Sequence, residues 1–184
     1  MKIILASNSP RRKELLHRDG YEFEVIPSTV DEVLDESLKP VENVKSLAKQ
    51  KCLDVAKSHY DDVVIGADTI VVFDNKIFGK PKTDLEAYQM LKALQGKSHE
   101  VMTGVCVCYK NKIINEADIS QVIFKSMSDE DIWDYIKTKE PCDKAGAYAI
   151  QGIGKKYIEA YKGSFDNIVG LPMELLNKIL KSIE

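Results

Sequence analysis

Two rhythms trade places along the chain, a period of two and a period near 3.6, and this predicts strands interleaved with helices. Lys2 to Ala6 reads as a short apolar strand and Ser7 to Pro10 as a turn and helix start; Arg11 to Arg18 is a helix with Leu15 and Leu16 inward. A strand is predicted from Tyr21 to Ile26, then an acidic loop from Ser28 to Ser37. Pro40 opens a helix with Val41, Val44, Leu47, Ala48, Cys52 and Val55 at helical spacing. Lys51, seven residues after Val44, falls on that apolar stripe. Val63 to Phe73 is the most strand-like run, and Asp74-Asn75-Lys76 turns it into a hairpin with Lys76 to Gly79. Asp84 to Leu94 is a helix presenting Leu85, Tyr88, Leu91 and Leu94, ended by Gly96. Glu100 to Tyr109 and Lys112 to Phe124 form a second hairpin. Ser128 caps a helix to Lys137, Asp143 to Gly154 is a loop, Tyr157 to Tyr161 a strand, and Pro172 to Ile183 a closing amphipathic helix. There is no internal repeat and no Gly/Ser-rich or Pro-rich linker, so residues 1–184 are expected to form one α/β domain.

Composition narrows the function classes. With 184 residues, 44% of them hydrophobic, the chain is long enough to bury a core without disulfides or a structural metal. A formal net charge of −3 and a pI near 5.7 lack the basic excess of a general nucleic-acid or membrane-surface binder, so neither partner is expected. No apolar run approaches the length of a membrane span, and the N-terminal apolar stretch is too short for a signal peptide. Four cysteines without a C-x-x-C fit a reducing cytoplasm. Cys106 and Cys108 point to one strand face, where packing as small buried hydrophobes is expected rather than metal chelation.

Several stretches are candidates for chemistry. Ser7-Asn8-Ser9-Pro10-Arg11-Arg12 runs from a strand end into a helix N-terminus, where hydroxyls, free N–H groups and two arginines suit a phosphate. The alternative is a serine cap followed by solvated arginines. Asp68 lies inside an apolar strand, and its lost hydration has to be offset by a cationic partner, a metal, or a place in a cleft as a base. Alternation puts Asp68 and Thr69 on opposite faces, so both line one pocket only if the strand bends, with Gly66 as the natural place. Lys51 and Lys80 can each partner phosphate or simply be solvated. Asp31 and Glu32, in the acidic loop, can hold a divalent cation or be solvated. Gln151, in a small-residue loop, carries an amide that both donates and accepts, as reading a pyrimidine edge requires; the alternative is that the loop is simply a tight structural turn. His17, His59 and His99 show no metal-like spacing and take no role.

Six segments together resemble the Maf family of nucleoside triphosphate pyrophosphatases, and within it the branch acting on dTTP and UTP. They are Leu5 to Arg12, Leu47 to Lys51, Gly66-Ala67-Asp68-Thr69, Gly79-Lys80-Pro81, Asp143 to Tyr148 with Ile150-Gln151-Gly152, and Val169-Gly170-Leu171-Pro172. The resemblance implies hydrolysis between the α and β phosphates with a divalent cation, Mg²⁺ or Mn²⁺. It implies Asp68 as proton acceptor, and Arg11, Thr69 and Gln151 as residues of substrate choice. Ser7, Arg12, Lys51 and Lys80 are implied at the phosphates, and Glu32 with Asp68 at the metal. The implied fold is the elongated mixed α/β sheet with flanking helices and a central cleft of the inosine triphosphate pyrophosphatases, as a homodimer. The family is also linked to cell division and septum formation, so a nucleotide-binding regulator with little turnover is the competing expectation; a third is a pyrophosphatase for modified pyrimidine triphosphates, using the same residues.

Overall fold

The computed structural model describes residues 2–183. In chain order the elements are β1 (Ile3–Leu5), α1 (Pro10–Arg18), β2 (Glu24–Val25), α2 (Pro40–Ala56), β3 (Val63–Phe73), β4 (Lys76–Phe78) and α3 (Asp84–Leu94). They continue with β5 (Ser98–Tyr109), β6 (Lys112–Phe124), α4 (Asp129–Lys137), β7 (Ile158–Lys162), α5 (Phe165–Val169) and α6 (Met173–Ile183). Seven strands form one open sheet in the order β2-β1-β3-β5-β6-β7, with β4 paired to β3. This is the mixed α/β class expected, and the chain folds into two compact units.

The first unit comprises Met1–Thr69, Thr103–Asp118 and Gly170–Glu184. β1 pairs in parallel with both β2 and β3. The chain therefore steps from β1 outward to β2, then back past β1 to β3, and right-handed crossovers in these opposite directions place α1 and α2 on opposite faces. The order reverses at β1, and in open α/β sheets such a reversal leaves a crevice at the strand's carboxyl end. Ser7 to Arg12 begin there. β2 is shorter than the predicted strand from Tyr21 to Ile26, because its partner β1 has only three residues to offer.

Helix α2 buries Val44, Leu47, Ala48, Cys52 and Val55 as its spacing predicts. It comes unusually close to the sheet because glycines lie beneath it. A Cβ on Gly66 would stand 2.5 Å from the Ala48 carbonyl oxygen, and one on Gly104 2.4 Å from that of Val44. Gly66 thus serves close packing of α2. Gly66→Ala is expected to destabilise the protein by about 1–3 kcal/mol, since the clash is with backbone that no rotamer change relieves. Chemical denaturation would measure it.

The second unit comprises Ile70–Met102 and Ile119–Val169. Asp74 and Asn75, both at positive φ, close the β3–β4 hairpin. Ser128 and Asp131 form a reciprocal cap on α4. Helix α3 buries Ala87, Leu91 and Leu94, whereas Leu85, expected on that face, is exposed. Tyr88 is half-buried and stacks flat on Trp133 at 4.9 Å. Stacking and the small Ala87 set the helix rotation here, which a count of large apolar residues misses. The predicted loop from Asp143 to Gly154 contains short 3₁₀ turns, Ala145–Ala147 and the start of Ile153–Tyr157. Among the described residues, no helix is long and apolar enough to cross a membrane.

Candidate active site

Asp68 sits on the β3 face that α2 covers, two residues beyond Gly66, and is 7% exposed. Because the glycine lets α2 down onto the strand, Lys51, one turn from Leu47 and Ala48, reaches the carboxylate: its Nζ lies 2.6 Å from Asp68 Oδ1. The same ammonium lies 2.8 Å from Glu32 Oε1. Glu32 belongs to the acidic loop, which α2 holds at several points. Asp54 accepts from Ser28 Oγ and Thr29 N, Gln50 meets the backbone of Val33, and Asn43 meets that of Asp35. Lys51, Asp68 and Glu32 are thus one cluster, assembled by a helix, a strand and a pinned loop.

Burial pushes the Asp68 carboxyl above the ordinary carboxylate range; Lys51 first and Arg12 second draw it back. The desolvation outweighs both cations. A poorly hydrated carboxylate beside an ammonium that fixes its direction is equipped to accept a proton.

On the opposite face, Arg12 is buried and spends its fork on the protein. Nη1 donates to Ser7 Oγ at 3.1 Å, Nη2 to Thr69 Oγ1 at 3.1 Å, and Nε to the Gly170 carbonyl at 2.8 Å. Burial lowers its pKa, but a guanidinium stays charged. Of its five N–H groups three are so used, leaving one on each terminal nitrogen for an anion. Thr69 Oγ1 also shares a 2.9 Å hydrogen bond with Thr103 Oγ1. Gly170 adopts φ +135°, where side chains are strained, and this aims its carbonyl at Arg12. Of the expected serine cap followed by solvated arginines, the cap is present, but Arg12 is buried. Ser9 caps α1 by accepting from Arg12 N, and Ser7 and Arg12 meet at the carboxyl end of β1. Arg11 is half-buried on the first turn of α1.

Lys80 and Gln151 belong to the second unit, and both are exposed. The Gly79 carbonyl beside Lys80 accepts from Gly146 N at 3.1 Å. The turn after Gln151 is held by Glu140, whose carboxylate accepts from Tyr135 Oη at 2.5 Å, Ile153 N at 2.8 Å and Gly154 N at 2.9 Å. These hydrogen bonds hold the Glu140 carboxyl below its usual range against partial burial. Glu140→Ala strands three donors and is expected to cost about 2 kcal/mol or more of stability, read as a lowered denaturation midpoint. Thr103 and Glu140 escaped sequence reasoning. The one signal for Thr103 was the Thr-Gly pair inside an apolar strand; Glu140 gave none, because its partners come together only in the fold.

The fold and the chain have relatives. The Staphylococcus aureus Ham1 protein superposes over 100% of both chains with a TM-score of 0.55 at 15% identity. A HAM1 protein from Coxiella burnetii does so over 99% of each with 0.51, also at 15% identity. The fold is therefore of the Ham1 class. At the level of sequence the chain belongs to the Maf family, whose model, described as Maf-like protein, matches residues 2–183. A protein of Clostridioides difficile strain 630 named dTTP/UTP pyrophosphatase is 49% identical over 184 residues, covering 98% of this chain and 94% of its own. One of the same name from Aquifex aeolicus strain VF5 is 46% identical, covering 100% and 96%.

Proposed function

We propose that this chain hydrolyses dTTP and UTP between the α and β phosphates, giving the nucleoside monophosphate and pyrophosphate. The observation that carries the reading is Asp68, a buried carboxylate with a raised pKa held by Lys51, in a chain whose relatives of near-full-length similarity bear that activity in their names. Asp68 takes a proton from the attacking water as its oxygen bonds to the α-phosphorus, and the bridging oxygen departs with pyrophosphate. Arg11, Arg12, Lys51 and Lys80 offset charge on the triphosphate and on the leaving group, with Ser7 and the N–H groups that open α1 as further donors. Arg11, Thr69 and Gln151 select the base.

Glu32 and Asp68 offer two hard oxygen donors around one shared positive charge. That donor set fits Mg²⁺ or Mn²⁺, which are commonly held by one or two carboxylates with phosphate and water completing the shell. Bound there, the cation supplies neutralisation of the triphosphate. A homodimer working in the cytoplasm belongs to the same reading. The test is pyrophosphate release from dTTP, UTP, CTP, GTP and 7-methyl-GTP with Mg²⁺. Release confined to pyrimidine nucleotides, dTTP and UTP foremost, supports it. Tight nucleotide binding with no release from any of the five would favour a regulator of cell division instead.

A further inference from the structure

Thr103 carries the one hydroxyl in the apolar run of β5 from Val101 to Cys108, and it is 0% exposed. A hydroxyl buried so completely in a central strand has to be hydrogen-bonded. β5 lies next to β3 in the sheet, and Gly104 faces α2, since a Cβ there would run into the Val44 carbonyl. Alternation therefore turns Thr103 to the other face, where its Oγ1 meets Thr69 Oγ1 at 2.9 Å. Ser7, Arg12, Thr69, Thr103 and Gly170 all belong to the first unit. A guanidinium only donates, so Thr69 Oγ1 is the acceptor of its 3.1 Å hydrogen bond with Arg12 Nη2. Whichever hydroxyl donates across the 2.9 Å contact, Thr69 Oγ1 is tied on two sides, to Arg12 and to Thr103. Turning χ1 to either other staggered position would carry Oγ1 away from both.

Resting on the reading of this site as a triphosphate hydrolase, we propose that Thr103 is a positioning residue for that reaction. Through the Thr69 hydroxyl it holds the Arg12 fork with its two remaining N–H groups toward the triphosphate. Three acceptors set the plane of that fork, and each is itself held. Ser7 Oγ, at Nη1, also accepts from Ser9 N at 3.2 Å, and the Gly170 carbonyl, at Nε, is main chain. Thr69 Oγ1, at Nη2, has Thr103 for this purpose. Its longer contact of 3.4 Å runs to the Gly170 carbonyl, which Arg12 Nε already occupies at 2.8 Å. Thr103 lies too deep to touch substrate, so it acts only through Thr69. Arg12 meets the triphosphate already in the bound ground state, so a misplaced fork weakens binding and raises KM. Loss of correctly folded enzyme would instead lower the apparent kcat and leave KM where it was.

Thr103→Val replaces the hydroxyl by a methyl and keeps the shape of the side chain. In steady-state kinetics with dTTP and Mg²⁺ its KM should rise about tenfold, the scale of one hydrogen bond, with kcat within about threefold of the parent. Thr103→Ala, which crowds nothing, should do the same, and Thr103→Ser, which keeps the hydroxyl, should bring KM back to within about threefold. In a Thr69→Val background the link is already cut, so adding Thr103→Val should change KM by less than about twofold. Affinity for the non-hydrolysable α,β-methylene analogue of dTTP, measured by calorimetry, should fall by the same factor with no turnover involved. A parent that binds the analogue and releases no pyrophosphate would remove the hydrolytic reading, and a Thr103→Val variant binding about tenfold more weakly would still show Thr103 holding the fork. An unchanged KM and affinity in Thr103→Val, a fall in kcat alone, no recovery in Thr103→Ser, or an undiminished effect of Thr103→Val beside Thr69→Val would each overturn the proposal.

Discussion

Asp68→Asn is expected to lower turnover of dTTP and UTP by at least about a hundredfold, the usual scale for loss of a general base, while nucleotide binding persists. The amide keeps the shape of the side chain but cannot take the water's proton. The loss cannot be ascribed to unfolding, because the sign of the stability change runs the other way. The folded-state pKa of Asp68 lies above its ordinary value of 3.8, so between the two the native state binds more protons than the unfolded chain. Stability therefore falls as pH rises through that window, because ionising the buried carboxyl carries a net desolvation cost. Asparagine removes it, and Lys51 keeps Glu32 as a partner. The variant should be at least as resistant to denaturant as the parent at neutral pH while turning over little substrate. A single-turnover assay beside an equilibrium binding measurement separates the two effects. Wild-type turnover surviving the substitution would remove Asp68 from the reaction. In the parent enzyme kcat/KM should decline on the acid side with an apparent pKa above 3.8.

Much of this site could be read along the chain, and what could not be read was tertiary. A carboxylate inside Val63 to Phe73 announces a cost, and a lysine on the apolar stripe of α2 announces another. Each is half of a pair whose other half is 17 residues away, and only the folded chain shows that Lys51 and Asp68 meet each other's needs. Glycine was legible as a special position at Gly66: a missing Cβ in a strand permits a bend or a close neighbour, and the neighbour here is α2. Arg12 shows the opposite difficulty. Its charge and place at a helix start suggested phosphate, but three of its donors hold Ser7, Thr69 and Gly170, so it builds the site at least as much as it can touch a ligand. Alternation correctly separated Asp68 from Thr69, and the separation survives in their partners, α2 for one and α1 for the other.

His99, given no role by its place in the sequence, should control acid stability. It is 3% exposed, flanked edge-on by Phe124 and Tyr148. Its Nε2 shares a 2.6 Å hydrogen bond with Tyr148 Oη, and its Nδ1 has no partner. A second proton on this ring would bring a charge into an apolar setting with one neutral oxygen to meet it, so burial lowers the pKa from 6.5 to about 4. Below the ordinary value the unfolded chain takes up the proton and the folded one does not. The contribution is thus complete above pH 6.5 and is lost as pH falls toward 4, to a total of about 3 kcal/mol. His99→Gln keeps a polar group that can reach Tyr148 but does not titrate. Denaturation of parent and variant at pH 6.5 and pH 5 should show the parent losing about 2 kcal/mol more than the variant over that interval. Equal losses would mean that the ring is protonated in the native state and that the surrounding aromatic cluster opens to water.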